Sequence, residues 1–327
     1  MANTLKDRTK SMVLLQIAQL VLGLVVAISA GSRAIAQVQP LTATFRSGVD
    51  LVTVNAVVRD RRGRLVTDLL RGDFEVLDGG LSRPISDFRS TETPVHIALL
   101  FDESGSMDVG TKRADSRAAV GHVLSWLHSG KDEVALFAFD KKLSEMYPFT
   151  TDMGEVEKAL ERLQPFGVTS LHDAIAESAK RLVEHGGPRR AVVVLTDGID
   201  NNSRLRPQEV SAIASAIDVP VYVIEIVSPL DHPGARTAVG SASTAGAEGP
   251  LSNVATLTGG QLFVVSAPAH ASVAARQIVT ELRHQYLLAF EPSGRPGWHP
   301  LVVRTRQKDL TVQARSGYMA GQARPAS

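Results

Sequence analysis

Residues 95–106 of the chain read VHIALLFDESGS. The first seven residues are apolar apart from one histidine, which is typical of a strand that is buried on both faces of a parallel sheet. The apolar run stops at Asp102, and two small hydroxyl side chains follow, Ser104 and Ser106, with Gly105 between them. The stretch therefore predicts a buried strand that ends in a tight loop lined with oxygen atoms.

Apolar segments of strand length continue along the chain and alternate with amphipathic helices. The predicted buried strands are Val95–Phe101, Glu133–Phe139, Ala191–Thr196, Val219–Val227 and Gln261–Val265. Leu143–Phe149 is predicted as an antiparallel edge strand. Between the strands, apolar residues recur with helical spacing in segments that begin near Val120, Val156, Leu171, Val210 and Ala274. This pattern predicts an α/β fold with a doubly wound, mostly parallel sheet that helices cover on both faces.

The segments on either side of this pattern contain short strands without helical periodicity. Residues 41–92 form an N-terminal β segment, in which Asp78-Gly79-Gly80 is a strong hairpin signal. Residues 284–319 form a C-terminal β segment, and residues 320–327 a tail. We expect the two β segments to pack together as a small β module, with residues 93–283 inserted between them. Residues 229–250, rich in Gly, Ala, Ser and Pro, are predicted to be a loop.

The N-terminus has the three-part layout of a signal peptide. Lys6, Arg8 and Lys10 precede an apolar run from Met12 to Ala30, and Ala34-Ile35-Ala36 supplies a cleavage pattern. We therefore predict that residues 1–36 are a signal peptide and that the protein is exported, to the periplasm or beyond. The alternative is an uncleaved anchor, and only then would the protein be attached to a membrane.

Charge and composition exclude several classes of function. The 327 residues carry a net charge of +1, which is the sum of +3 on residues 1–36 and −2 on the remainder. Without a basic excess, a nucleic-acid partner is not indicated. The chain has no cysteine, which excludes disulfides, thiolate metal sites and a cysteine nucleophile. The nine histidines form no close metal-binding pair in the sequence, so a zinc hydrolase is not indicated.

Three predicted loops carry oxygen ligands to one edge of the sheet. In open α/β sheets, ligands bind outside the carboxyl ends of the strands. The loops there are Asp102–Ser106, Gly167–Asp173 and Thr196–Gly198. Hydroxyl and carboxylate oxygens suit a hard cation such as Mg²⁺, Ca²⁺ or Mn²⁺.

The arrangement of these loops resembles that of a known family. Asp102-x-Ser104-x-Ser106, a later Gly-x-Thr169 loop and Asp197-Gly198 after an apolar strand resemble the metal-ion-dependent adhesion site of von Willebrand factor type A domains. The resemblance covers residues 93–283. The flanks resemble a bacterial family of exported proteins related to this domain, on the basis of Tyr286–Pro292 and Arg315–Tyr318.

The resemblance implies a function and a set of ligands. Ser104, Ser106 and Thr169 would bind the ion through hydroxyls, and Asp102 and Asp197 would bind it directly or through water. Mg²⁺ is the first expectation, with Ca²⁺ or Mn²⁺ as alternatives. An acidic side chain of a protein partner would fill the open coordination position, so the protein would act in adhesion or assembly rather than as an enzyme. In some family members, ligation is coupled to a shift of the last helix, here 268–283.

Other interpretations remain open at this point. The same ion would also serve a metal-assisted hydrolase, although His172 and Asp173 are the only nearby candidates for a general base. A third possibility is a structural envelope subunit that the ion stabilises. We predict that Asp173 and Gly105 support the site without binding the ion, because Asp173 suits the helix dipole and Gly105 allows the turn. His172 is predicted to lie on the surface.

Overall fold

The computed structural model describes residues 51–164, 167–187, 189–216, 218–227 and 249–321. The predicted signal peptide, residues 41–50, nearly all of the predicted 229–250 loop and residues 322–327 lie outside these ranges. Among the helices in the described ranges, none combines the length and apolar character needed to cross a bilayer.

The described ranges contain strands and helices in alternation. The strands are β1 (Val52–Arg59), β2 (Phe74–Asp78), β3 (Leu81–Arg83), β4 (Ile85–Arg89), β5 (Val95–Asp102), β6 (Glu133–Phe139), β7 (Leu143–Thr150), β8 (Arg189–Thr196), β9 (Val221–Ile226), β10 (Leu262–Val265), β11 (Tyr286–Phe290), β12 (Gly297–Thr305), β13 (Thr311–Ala314) and β14 (Gly317–Ala320). The helices are α1 (Lys112–Trp126), α2 (Met153–Glu161), α3 (Leu171–His185), α4 (Pro207–Ala216), α5 (Pro250–Thr258) and α6 (Pro268–Arg283).

A six-stranded sheet forms the centre of the structure. Its strands lie in the order β10-β9-β8-β5-β6-β7. The neighbouring strands run parallel except at the edge, where β7 is antiparallel to β6. The predicted doubly wound, mostly parallel sheet is confirmed, and so is its antiparallel edge strand.

Each face of this sheet is covered by helices whose apolar stripes match it. On β5, Ile97, Leu99 and Phe101 point to the core shared with α1, α2 and α6. The intervening residues Ala98 and Leu100 point to the core shared with α3, α4 and α5. Successive side chains of a strand alternate between faces, so an uninterrupted apolar run is what a strand covered on both sides requires.

The winding of the chain changes direction between β5 and β8. After β5 the chain proceeds to β6 and β7 on one side, and it then returns to place β8 against the other side of β5. In folds of this kind, the connections on the two sides of such a reversal leave on opposite faces of the sheet, which is expected to leave a crevice at the carboxyl ends of β5 and β8. Such a switch point is where open α/β sheets bind ligands.

Two four-stranded antiparallel sheets flank the central domain, in agreement with the predicted fold class. Their orders are β13-β1-β11-β4 and β14-β12-β2-β3. The two sheets share one apolar core, in which Phe74 and Tyr286 are in ring contact with centroids 4.9 Å apart. The hairpin between β2 and β3 turns at Gly79 and Gly80, both at positive φ, as the glycine pair predicts.

A buried arginine lies where the chain passes between the two parts. The Arg189 guanidinium donates to the carbonyl oxygens of Thr91, Leu282 and Gln285. The first of these precedes β5, and the other two lie at the end of α6 and just before β11. We propose on this basis that residues 93–283 form one domain, with 41–92 and 284–319 as the two halves of the β module.

Candidate metal site

Asp102 is the last residue of β5 and its carboxylate is completely buried. Its neighbour in the sheet is the end of β8, where Thr196 Oγ1 donates to Asp102 Oδ2 over 2.6 Å. The backbone N–H of Ser104 donates to the other oxygen, Oδ1, over 2.9 Å. Both carboxylate oxygens are therefore positioned by hydrogen bonds at the switch point of the sheet.

The loop after β5 brings its two hydroxyls together. Ser104 Oγ and Ser106 Oγ lie 3.0 Å apart, and either of them can donate to the other. A short 3-10 turn over Gly105–Asp108 follows directly. The predicted i, i+2, i+4 arrangement of Asp102, Ser104 and Ser106 therefore forms one compact group of oxygens.

The second loop is tied to the first and third loops through its backbone. The Gly105 N–H donates to the Gly167 carbonyl oxygen over 3.2 Å. Thr169, which is 1% exposed, donates its N–H to Asn201 Oδ1 over 3.0 Å and accepts the Asn201 N–H at its carbonyl. Gly167 needs to be glycine, because its φ is 99° and a Cβ would lie 3.1 Å from Asp140 Oδ2.

Asp197 begins the third loop, immediately after β8, and it is 9% exposed. The sharp turn after it depends on Gly198, whose φ is 86°. A Cβ at Gly198 would lie 2.7 Å from Glu225 Oε1, so a larger residue would be strained at this φ and would also displace the Glu225 side chain. Asp102 and Asp197 are close enough for their charges to interact, which places both predicted carboxylates in one region.

A lysine that the sequence analysis did not identify also reaches this region. Lys112 Nζ lies 3.1 Å from Asp197 Oδ2, and both side chains are buried. Lys112 is the first residue of α1, where a positive charge opposes the helix dipole. That unfavourable position is a signal in the sequence, because it indicates that another group compensates the charge.

The predicted supporting residues have different surroundings. The Asp173 carboxylate accepts the N–H groups of Arg204 and Leu205, which holds the loop that carries Asn201. Gly105 does not adopt a positive φ, and a Cβ there would lie 3.7 Å from the Gly167 carbonyl oxygen, so the turn does not require glycine. Support of the metal site by these two residues remains our proposal.

The prediction that His172 lies on the surface is wrong. His172 is 9% exposed, and its Nδ1 lies 2.7 Å from Asp200 Oδ2. Asp200 also accepts the backbone N–H groups of His172, Asn202 and Ser203. Asp200 therefore organises a turn and orients the imidazole, because the segment folds back against the start of α3.

The donor set suits a hard divalent cation. The predicted ligands are all oxygens, and the two buried carboxylates carry two negative charges against the single positive charge of Lys112, so a negative charge remains for a cation to compensate. Burial raises the pKa of Asp102 to about 6, and the charge of Asp197 acts in the same direction. The hydrogen bonds from Thr196 and Ser104 oppose this rise. The residues Asp102, Ser104, Ser106, Thr169 and Asp197, which we call the carboxyl-end site, therefore fit the cation that the sequence predicts.

The raised pKa predicts how the stability of the metal-free protein depends on pH. Between the ordinary value of 3.8 and about 6, folded Asp102 keeps a proton that the unfolded chain has released. Asp102 therefore contributes its full stabilisation below about pH 4. As the pH rises to about 6, the free energy of unfolding falls by on the order of 3 kcal/mol in total. Urea unfolding in EDTA across this range measures the fall. Asp102→Asn is expected to remove this component, and an identical slope in both proteins would contradict the assignment.

Lys112 is expected to weaken cation binding, because its ammonium group already compensates Asp197. Lys112→Met should raise the Mg²⁺ affinity by about tenfold, since the ammonium no longer repels the ion. Titration calorimetry measures the change, and Lys131→Met provides a control that removes an exposed lysine elsewhere. An unchanged or lower Mg²⁺ affinity in Lys112→Met alone would show that the ammonium group does not oppose the cation.

Comparison with known proteins identifies the central part of the chain. Residues 97–199 match the family model described as von Willebrand factor type A domain. The resemblance predicted from the metal-ligand pattern is thereby confirmed for this region. An uncharacterised protein of Borreliella burgdorferi is 30% identical over 100 residues. That match covers 30% of this chain and 29% of the relative, so the chain spans less than a third of that protein's length.

Solved structures show more distant similarities. A von Willebrand factor type A protein from Catenulispora acidiphila is 13% identical, covers 84% of this chain and 75% of that chain, and has a TM-score of 0.46. The conserved hypothetical protein BatB from Bacteroides thetaiotaomicron is 18% identical, covers 57% of this chain and 98% of that chain, and has a TM-score of 0.45.

Proposed function

We propose that this protein is a metal-dependent protein-binding module that acts outside the cytoplasm. The carboxyl-end site holds a divalent cation, with Mg²⁺ as the first candidate and Ca²⁺ or Mn²⁺ as alternatives. The cation binds an aspartate or glutamate carboxylate of a partner protein, so the module serves adhesion or assembly. The main support for this proposal is the position of three loops. Two of them carry carboxylates and one carries a hydroxyl, and they lie at the switch point of the sheet, in the region that matches the von Willebrand factor type A domain.

The surface around the site supports a macromolecular partner. One exposed apolar side chain lies within or shortly after each of the three loops. These side chains are Val109, Val168 and Ile199, which are 48%, 41% and 50% exposed. Exposed apolar groups around a polar centre are typical of protein–protein contact surfaces. We propose that a partner covers these three side chains when its carboxylate reaches the ion.

Export and the absence of catalysis are parts of the same proposal. The signal-peptide pattern of residues 1–36 supports a periplasmic or secreted location. The His172 imidazole contacts Asp200, which supports a role in the turn rather than one as a general base. Asp173, the other candidate base, accepts backbone N–H groups of the neighbouring loop. These contacts favour a binding protein over a hydrolase.

The test uses the immobilised exported chain and the envelope fraction of the cells that produce it. We expect one or more proteins to be captured in Mg²⁺ and released by EDTA. Asp102→Ala should abolish capture, while Asp108→Asn should not, because Asp108 is an exposed acid in the same loop. Converting the carboxylates of the envelope proteins to amides with a carbodiimide and an added amine should also abolish capture. Capture that survives EDTA and Asp102→Ala would refute the proposal.

Two variants separate partner contact from metal binding. Val168→Ser and Ile199→Ser should weaken capture and leave the Mg²⁺ affinity unchanged, because both side chains are apolar and exposed. Val273→Ser, at another exposed valine, serves as the control.

Metal-dependent turnover in a phosphoesterase and peptidase screen would favour the hydrolase. A lower melting temperature of Asp102→Ala in Mg²⁺ with capture intact would favour the structural subunit.

A further inference from the structure

We propose that His96, Glu133 and His185 form a second metal site, suited to Zn²⁺ or a similar transition-metal ion. We call these three residues the His–Glu–His cluster. His96 and Glu133 lie at the amino ends of β5 and β6, and His185 is the last residue of α3. The site lies at the opposite end of β5 from Asp102 and is independent of the function proposed above.

The topology explains why these residues meet. β5 and β6 are parallel, and His96 is directly opposite Glu133 in the register. His96 is two and four residues before Ala98 and Leu100 on β5, and Glu133 is two and four residues before Ala135 and Phe137 on β6. These four apolar residues face the core that contains α3. Side chains two residues apart on a strand point to the same face. The end of α3 therefore brings His185 to the face on which His96 and Glu133 project.

The distances suit three ligands of one ion. One ligand atom from each residue lies within 4.8 Å of the other two. His96 Nδ1 lies 3.1 Å from Glu133 Oε2, and His185 Nε2 lies 2.5 Å from the same oxygen. A tetrahedral Zn²⁺ with ligands at about 2.0–2.1 Å separates ligand atoms by about 3.3 Å, so small movements are sufficient to admit the ion.

Two contacts hold the imidazoles in place. The His185 ring stacks on Phe149, with centroids 3.9 Å apart and an interplanar angle of 11°. The His96 ring packs against Gly187, where a Cβ would lie 2.6 Å from His96 Nε2. Gly187 also has a φ of 97°, so its conformation and the space for the ring both depend on glycine. The ring positions are therefore set before an ion binds, which lowers the cost of assembling the site.

The chemistry of the ligands favours a borderline metal over Mg²⁺. Two imidazoles and one carboxylate are a common Zn²⁺ ligand set that leaves a fourth position for water. The side chains of Glu133 and His185 are about one-third exposed, so an ion can enter from solvent.

The sequence offers no close pair of histidines, and the fold brings two distant histidines together in this cluster. The rings of His96 and His185 have centroids 5.9 Å apart, although the two residues are 89 positions apart in the chain. Asp102 is six residues beyond His96 on the same strand, which separates their Cα atoms by about 20 Å. The two sites are therefore far enough apart to take up ions separately.

The experiment measures Zn²⁺ and Co²⁺ binding to the full exported chain after removal of bound metal. Because the carboxyl-end site also has carboxylates, the measurements use an Asp102→Asn background. We expect one Zn²⁺ per chain by titration calorimetry, and intense visible absorption of Co²⁺ in a four-coordinate site. His96→Gln and His185→Gln should each weaken Zn²⁺ binding at least about tenfold, while His122→Gln should not change it.

Zinc K-edge absorption of the unmutated chain provides a readout that does not depend on the variants. Imidazole scattering from two histidines would support the site even if a variant failed to fold. Absence of bound Zn²⁺, or an affinity that both His96→Gln and His185→Gln retain, would overturn the proposal. Loss of partner capture in Asp102→Asn with Zn²⁺ binding intact would separate this site from the carboxyl-end site.

Discussion

Asp102→Asn should reduce the Mg²⁺ affinity of the carboxyl-end site by at least about 100-fold, equivalent to about 3 kcal/mol. The substitution removes one of two negative charges but preserves the size of the side chain. The buried position of Asp102 makes that charge effective, because little solvent screens it from a nearby cation. The Ser104 N–H can still donate to the carbonyl oxygen of the asparagine, and the Thr196 hydroxyl can accept from its amide group, so the loop is expected to keep its conformation.

Titration calorimetry with Mg²⁺ and electron paramagnetic resonance of bound Mn²⁺ both measure this change. Asp108→Asn is the matched control, since it removes the same charge from the 3-10 turn that follows Ser104. The Asp108 side chain is 68% exposed, so its charge is screened and the affinity should change little. Equal Mg²⁺ affinity in wild type and Asp102→Asn would show that this carboxylate is not part of a cation site.

Gly260→Ala should destabilise the protein by about 3–5 kcal/mol, even though it adds a single methyl group. Gly260 lies just before β10, and its N–H donates to the Ala255 carbonyl oxygen over 2.8 Å. A Cβ there would overlap the carbonyl oxygen of Val221 and lie 2.5 Å from its carbonyl carbon. These are backbone atoms at the start of β9, so no change of rotamer can relieve the overlap.

Thermal and urea unfolding measure this loss of stability. Gly121→Ala is the matched control, because Gly121 lies inside α1 and, apart from the adjacent backbone of that helix, no atom lies within 4 Å of the position of its Cβ. Alanine has the better helix propensity, so we expect Gly121→Ala to stabilise the protein by up to about 1 kcal/mol. A Gly260→Ala protein as stable as wild type would show that the backbone of Gly260 does not approach that of Val221 closely enough to exclude a methyl group.

Most of the central fold can be predicted because it depends on local patterns. Apolar strands that end in polar residues identify β5, β6 and β8 within one or two residues of their observed bounds. Helical spacing identifies α1, α2, α3, α4 and α6, but it did not identify α5, whose first residue falls in the predicted loop 229–250. The predicted β9 begins two residues early and ends one residue late, because Val219 and Val227 continue the apolar run on either side of the strand. Apolar character alone does not show where strand pairing stops.

The predicted ligand residues illustrate what the sequence conveys about the site. Asp102, Ser104 and Ser106 are adjacent in the chain, so their proximity follows from one loop. Thr169 and Asp197 were included because their loops resemble those of a known family and follow strands or open helices in a parallel sheet. Lys112 was missed, although its place at the start of α1 opposes the helix dipole. Thr196 was placed in the third loop, but its role as a donor to Asp102 was not predicted, because no local pattern distinguishes a threonine that contacts a ligand carboxylate from one that does not.

The amino-acid sequence by itself determined the doubly wound sheet, the ligand pattern and the resemblance to von Willebrand factor type A domains, because these depend on periodicity and short motifs. Only the tertiary structure decided that Lys112 contacts Asp197, that His172 is buried against Asp200, and that His96 meets His185 beside Glu133. Such contacts depend on strand register and on where a helix ends relative to a sheet. The residues in these contacts are far apart in the chain, so their spacing in the sequence does not predict the contacts.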